Sequence, residues 1–183
     1  MKQPIALAMG KPTNRKTQET VLTVSNGGII SHSLHKVWIH GVFGTKDRSS
    51  LIKNTFEKEL HAHIKEKLEK DLDCKVRIIN GTEDHAHILF LQSPNFSLKD
   101  IFQNVKGESS HWINQSDFIK YKFSWQTGYG AFSVSESMVK EVEKYIANQK
   151  EHHKKMTYQE EVDIFIKKYG LNILNPALPA GRR

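Results

Sequence analysis

Residues 35–135 change their hydrophobic period in the order β, α, β, β, α, β, and few architectures accept that order. "HKVWIHGVF", from His35, is β-branched and aromatic, and Gly44 with the basic turn "TKDR" closes it as a first strand. "SSLIKNTFEKELHAHIKEKLEKDL" places apolar residues at 51, 52, 56, 60, 64 and 68, which predicts a long amphipathic helix opening on a serine, its lysines outward. "CKVRIINGTEDHAHILFLQ" reads as two strands turned at "NGTED", with Asn80 and Gly81 as the hairpin signal and Pro94 as the stop. Helical spacing returns through Leu98, Ile101, Phe102 and Val105, although Gly107 weakens the second half. "FSWQTGYGAFSVS" alternates aromatic and polar residues around Gly128 and Gly130 and predicts a fourth strand. A third helix is expected from about Met138 to His153, capped by Ser135 or Ser137, and a fourth over "TYQEEVDIFIKKYGL", ended by Gly170. This is the split βαβ order of ferredoxin-like α+β folds, an antiparallel sheet with helices on one face, followed here by C-terminal helices.

A chain of 183 residues without internal repeats suits one domain. Residues 1–33 mix Pro, Gly, Asn, Thr and Ser and read as a loosely ordered arm, with a short strand at "TVLTVS"; residues 34–170 form the domain and 171–183 a tail. No run approaches the roughly 18 to 20 apolar residues of a membrane span, and Pro4 breaks the short apolar patch of "MKQPIALAMG", so an unprocessed chain away from the membrane is expected. The single cysteine, Cys74, cannot form an internal disulfide, and a cytoplasmic location follows as the expectation. Charge narrows the partner: 27 Lys and Arg against 20 Asp and Glu leave a formal +7, the balance of polyanion binders, without specifying nucleic acid.

The chemistry gathers in "EDHAHILF". A strand alternates faces, so His85 and His87 project together while Asp84, Ala86 and Ile88 project the other way. Such a pair is either two partly buried histidines bonded to polar neighbours or a platform for a metal ion, since neutral imidazole is the commonest metal ligand. In "SMVKEVEKYIANQKEHHKK", Tyr145 and Gln149 lie one turn apart on the helix, beside the apolar stripe marked by Val142 and Ile146. Taken alone, Tyr145 borders the core and Gln149 is solvated. Together with the histidines, Gln149 offers a neutral oxygen as third ligand, and Tyr145 a phenol that a cation or base can activate as nucleophile.

"EDHAHILF", "VKGESSHWIN", "WQTGYGAFSVSES" and "VEKYIANQKEHH", in this order, resemble the TnpA family of single-tyrosine HUH transposases, over roughly residues 35–168. The resemblance implies that His85 and His87 are metal ligands, Gln149 the third ligand and Tyr145 the nucleophile. It also implies cleavage and rejoining of single-stranded DNA through a 5′-phosphotyrosine, assisted by Mg2+ or Mn2+, with hairpin ends as substrate. A homodimer with active sites shared between protomers is implied too, "SVSES" being the connection that would let the tyrosine helix cross. The middle residue of the HUH motif is usually a bulky hydrophobe; here it is Ala86, which predicts looser packing behind the strand.

Lys46, Arg48, Lys106, Lys150, Lys154 and Lys155 are candidates for a phosphate-binding face and Trp112 and Trp125 for base stacking, against the alternative of solvated surface. His152 and His153 are candidates for orienting DNA or a base. His40 is expected as a satisfied core histidine; Asp84 could orient a ligand imidazole through its carboxylate, but strand alternation is expected to point it away from the metal. Tyr129 competes as a nucleophile but has no ligand residue at helical spacing. Two other functions remain open: a domesticated relative that processes repetitive palindromic DNA, and a non-catalytic binder of single-stranded hairpins.

Overall fold

The computed structural model describes residues 35–168 and, ahead of them, two short strands, β1 (Val24–Ser25) and β2 (Gly28–Ile29), paired antiparallel with Val24 opposite Ile29. The rest of the expected N-terminal arm and the tail 171–183 lie outside the described residues. Four further strands build one sheet: β3 (Trp38–Gly44), β4 (Lys75–Gly81), β5 (His85–Leu91) and β6 (Gly130–Val134), in the order β4-β5-β3-β6, with every pair antiparallel. The sequence order of these strands and their intervening helices is ferredoxin-like.

The two faces of the sheet differ in chemistry. Ile39 and Phe43 of β3 and Ala86, Ile88 and Phe90 of β5 share a core with Leu60, Ile64 and Leu68 of α1 (Glu57–Lys70) and Ile101, Phe102 and Val105 of α2 (Leu98–Gln115). Gly41 lets α2 approach this closely, because a Cβ there would meet Phe102 Cε1 at 2.9 Å and Ile88 Cγ1 at 3.0 Å. Ala86 is fully buried within this cluster, so the small residue leaves no solvent-accessible gap behind the strand. The opposite face carries His40, His85, His87 and Leu89. Leu89 packs there with Val134, Val139 and Ile146 from β6 and α3 (Val139–Ala147), with Trp38 and Tyr145 alongside.

Local differences from the expected elements have local causes. The first helix begins at Glu57, not near Ser49, because the Ile52 N–H donates to the Glu83 carbonyl at 2.8 Å, tying residues 51–56 to the β4–β5 turn as Ile52 and Phe56 sink into the core. Asn80 and Gly81 end β4 rather than forming the turn, which falls on the next three residues. The expected third helix is broken at Asn148 into α3 and a short α4 (Gln149–His152), since Asn80 of β4 donates its side-chain amide to the Ile146 and Ala147 carbonyls at 2.8 and 3.0 Å. α2 runs through Gly107 unbroken, and Ser97 caps it by accepting from the Asp100 N–H at 3.2 Å. The last helix, α5, spans Tyr158–Lys168. No helix among the described residues is long and apolar enough to cross a membrane.

Candidate metal and tyrosine site

β5 opens at His85, and its alternation delivers the two imidazoles to the face that α3 covers. His85 is held through Nδ1, 2.7 Å from Asp84 Oδ1 and 2.8 Å from Thr82 Oγ1. An ionised carboxylate only accepts, so Nδ1–H donates and Nε2 is left as the lone-pair nitrogen. Asp84 therefore faces the histidine instead of turning away, because it lies in the turn before the strand, where alternation does not yet apply. Its other oxygen accepts from Arg48 Nη2 at 2.6 Å, and Thr82 donates to Oδ1 at 2.8 Å. Burial pushes the Asp84 carboxyl up, but the bonds from His85 and Thr82 and the Arg48 charge outweigh it and hold the group at about 2. His87 Nδ1 shares a 3.0 Å hydrogen bond with His40 Nε2, and with the proton on Nδ1 its Nε2 also turns a lone pair inward. His40 is thus buried and bonded as expected, and it orients a ligand candidate.

Tyr145 and Gln149 reach the same place from α3 and α4. The Tyr145 ring lies 6.1 Å, edge-on, from that of His87 and 6.0 Å from that of His40. Gln149 is fully buried, and its Oε1 lacks a hydrogen-bond partner. All four residues singled out in the sequence therefore converge, within one chain.

A fifth residue sits at their centre. Glu161 of α5, only 2% exposed, accepts a hydrogen bond from the Tyr145 hydroxyl through Oε1, and the Gln149 Nε2 lies 3.4 Å from the same oxygen. Its Oε2 is 3.3 Å from His153 Nε2, 3.5 Å from His87 Nε2 and 3.9 Å from His85 Nε2. Burial raises the Glu161 carboxyl to about 7, against the opposing pull of His85 and Arg48. Burial also holds His153 down at about 4 and His87 well below the ordinary imidazole range, with nearby His85 adding to both. Neutral imidazole is the form that binds metal.

His85, His87, His153 and Glu161 offer ligand atoms that all lie within 4.8 Å of one another. The Nε2 atoms of the three histidines, Glu161 Oε2 and Gln149 Oε1 are all buried without hydrogen-bond partners. Stranding so many buried acceptors is costly unless something satisfies them. One divalent cation would satisfy the three histidine nitrogens and the Glu161 oxygen together, and that donor set fits one.

Glu161 was not among the residues the sequence singled out. The available signal is its place on α5: Tyr158, Glu161 and Phe165 recur at three and four residues and so share a stripe, where a carboxylate is out of keeping. His153, proposed for DNA or a base, joins the cluster instead. His152 places its ring 5.3 Å from Tyr145, with its Nε2 also unpartnered.

The expected DNA face is only partly gathered. Arg48 turns inward, its guanidinium 3.4 Å over the Tyr158 ring and paired with Asp84. Lys106 donates to the Gln126 and Gly128 carbonyls at 2.7 and 2.5 Å, holding the loop before β6. Trp112 stacks on His63 at 4.4 Å, and Trp125 is buried, its indole N–H donating to Ser109 at 2.9 Å. Lys150 pairs with Glu57 at 2.5 Å and Lys154 with Glu151 at 2.7 Å, while Lys46 and Lys155 stand exposed. Tyr129 stacks on Phe102 at 4.0 Å, with the helical core rather than the histidines.

Solved structures of other proteins share this fold. A candidate transposase from Deinococcus radiodurans R1 is 19% identical, with a TM-score of 0.53 over 65% of this chain and 95% of that one. A REP-associated tyrosine transposase bound to a REP hairpin is 12% identical, with a TM-score of 0.52 over 69% of this chain and 74% of that one. No curated protein matches the chain. The family described as transposase IS200-like matches residues 33–149, which include both strand histidines, the tyrosine and the glutamine. That match spans well over half of the 183 residues, and the chain belongs to the IS200-like transposase family.

Proposed function

We propose that this transposase cleaves and rejoins single-stranded DNA through a 5′-phosphotyrosine at Tyr145. The observation that carries the reading is convergence: the Tyr145 hydroxyl, the inward nitrogens of His85 and His87 and the side-chain amide of Gln149, through its Nε2, meet around one buried carboxylate. Tyr145 Oη attacks a backbone phosphorus, the new O–P bond forms as the P–O3′ bond breaks, and the strand leaves with a 3′ hydroxyl once its oxygen takes up a proton. Glu161 Oε1 stands where the phenol proton must go. Held by His85, His87 and Gln149, Mg2+ or Mn2+ would polarise the phosphate and neutralise its developing charge. Asp84 and His40 fix the two imidazoles, and α3 fixes the tyrosine relative to them. Because the phosphotyrosine ester conserves the bond energy, a 3′ hydroxyl attacking it in reverse rejoins strands without a nucleotide cofactor.

The substrate in this reading is single-stranded DNA bordering a hairpin. A formal +7 supports a polyanionic partner, and the neighbour of like fold is bound to a hairpin. That neighbour also favours a second reading, in which the same chemistry processes repetitive palindromic DNA rather than moving an element. A homodimer is part of the proposal, with Ser133–Ser137 as the connection through which α3, packed here on its own sheet, would exchange. The test is incubation with labelled single strands from the gene's own flanks, with Mg2+ or EDTA, followed by denaturing electrophoresis. A metal-dependent adduct that vanishes in Tyr145→Phe, with DNA binding kept, supports the reading. Binding without any adduct, or an adduct that survives the Phe variant, overturns it.

A further inference from the structure

We infer that Glu161 and His153 are ligands of the metal centre, which makes it a site of three imidazoles and a carboxylate that takes a first-row transition ion before any DNA arrives. The inference rests on the reading above that His85 and His87 hold an ion. The geometry is specific. His85, His87, His153 and Glu161 each offer one ligand atom, all within 4.8 Å of one another, so one ion can touch all four, and the close approaches to Glu161 Oε2 are made by the histidine Nε2 atoms. None of the four atoms has a hydrogen-bond partner, and Oε2 faces all three nitrogens at 3.3 to 3.9 Å. Those separations are too short to leave room for an intervening water and suit donors arranged about a common centre. They come from three elements, β5, the end of α4 and α5, so the centre depends on tertiary closure rather than on the strand pair alone.

The donor chemistry selects the ion. Magnesium prefers oxygen ligands and retains several waters, whereas imidazole-rich sets favour iron, nickel, copper or zinc, with manganese the weakest binder of the first-row series. Three nitrogens and one carboxylate oxygen therefore discriminate against Mg2+ far more than a two-histidine, one-amide set does. The carboxylate also has a second task. Its Oε2 faces the ion position while its Oε1 holds the Tyr145 hydroxyl, so one side chain spans metal and nucleophile.

The test uses Mn2+ alone, added to the full-length protein after chelator treatment and without DNA. Loss of the free-ion EPR signal gives the affinity, and pulsed EPR of the bound ion counts its imidazole nitrogens. The expected result is one Mn2+ per chain with three coupled imidazoles, displaced by Mg2+ only at large excess. Glu161→Gln is expected to weaken binding about tenfold or more, and His153→Ala to drop the count to two imidazoles. Two imidazoles in the wild type, or no binding without DNA, overturns the inference. So do variants that stay within twofold of wild type. The wild-type count needs no variant to fold, and far-ultraviolet circular dichroism in EDTA checks those made. The adduct assay separates the two readings. Three imidazoles without any phosphotyrosine would sink the proposed reaction and keep the metal centre; an adduct with two imidazoles would do the reverse.

Discussion

Replacing Asp84 by Asn keeps the shape of the side chain and removes its charge. In the wild type that carboxylate accepts from His85 Nδ1 at 2.7 Å, Thr82 at 2.8 Å and Arg48 at 2.6 Å, and these contacts hold it at about 2 against an ordinary 3.8. At roughly 1.4 kcal/mol per pH unit, a gap of nearly two units corresponds to about 2.5 kcal/mol, a ceiling for a side chain 27% exposed. Because the folded-state value is depressed, this stability is present in full above pH 3.8 and drains away as the pH falls through 2. Urea unfolding in EDTA at pH 7 is thus expected to show Asp84→Asn destabilised by about 1–2.5 kcal/mol, with the difference from wild type closing towards pH 2. In parallel, the loosened His85 is expected to cost about 10- to 100-fold in Mn2+ affinity. A variant as stable as wild type at pH 7, or a difference that persists unchanged at pH 2, would refute the argument that the charge carries the effect.

Asn80→Ala removes both side-chain bonds to the last carbonyls of α3 and is expected to cost about 1 kcal/mol; hydrogen exchange at Tyr145 and Ile146 should quicken while β5 stays protected, and uniform change across the domain would contradict this. The Cys74 thiol, buried and pushed up by that burial to about 11 from an ordinary 9.0, is expected to react with iodoacetamide at pH 8 about a hundredfold more slowly than a free thiol. Its raised value also means that stability is full below pH 9 and falls between 9 and 11, and labelling at the free-thiol rate would overturn both statements.

What the sequence makes legible is what repeats at short range. Strand alternation suffices to put His85 and His87 on one face, and a spacing of four suffices to bring Tyr145 and Gln149 to the same place although the helix breaks between them at Asn148. The order of periods suffices for the ferredoxin-like topology. Contacts between distant segments stay hidden. Nothing near residue 52 tells that its N–H is committed to Glu83, so the helix start is set too early, and nothing near 148 tells that Asn80 waits to cap the chain there. Asp84 follows turn geometry rather than strand geometry, which reverses its expected direction. Lysines and tryptophans are legible by type but not by partner: Lys106 is spent on two carbonyls, Trp125 on Ser109. Glu161 is the largest omission, because a carboxylate in "YQEEVDIF" looks like any other until α5 folds over the histidines.

β5 lies inside the sheet, hydrogen-bonded to β4 on one side and β3 on the other, whereas α5 is laid over the histidines late in the chain. The cluster is accordingly built from parts held in different ways. The strand imidazoles are fixed by the pairing of β5 on both edges, while Glu161 reaches them from a separate helix, its Oε2 3.5 Å from His87 and 3.9 Å from His85. On the proposed reading, two of the ion's ligands are set by the hydrogen bonds of the sheet itself, and the carboxylate is set by how α5 packs against it.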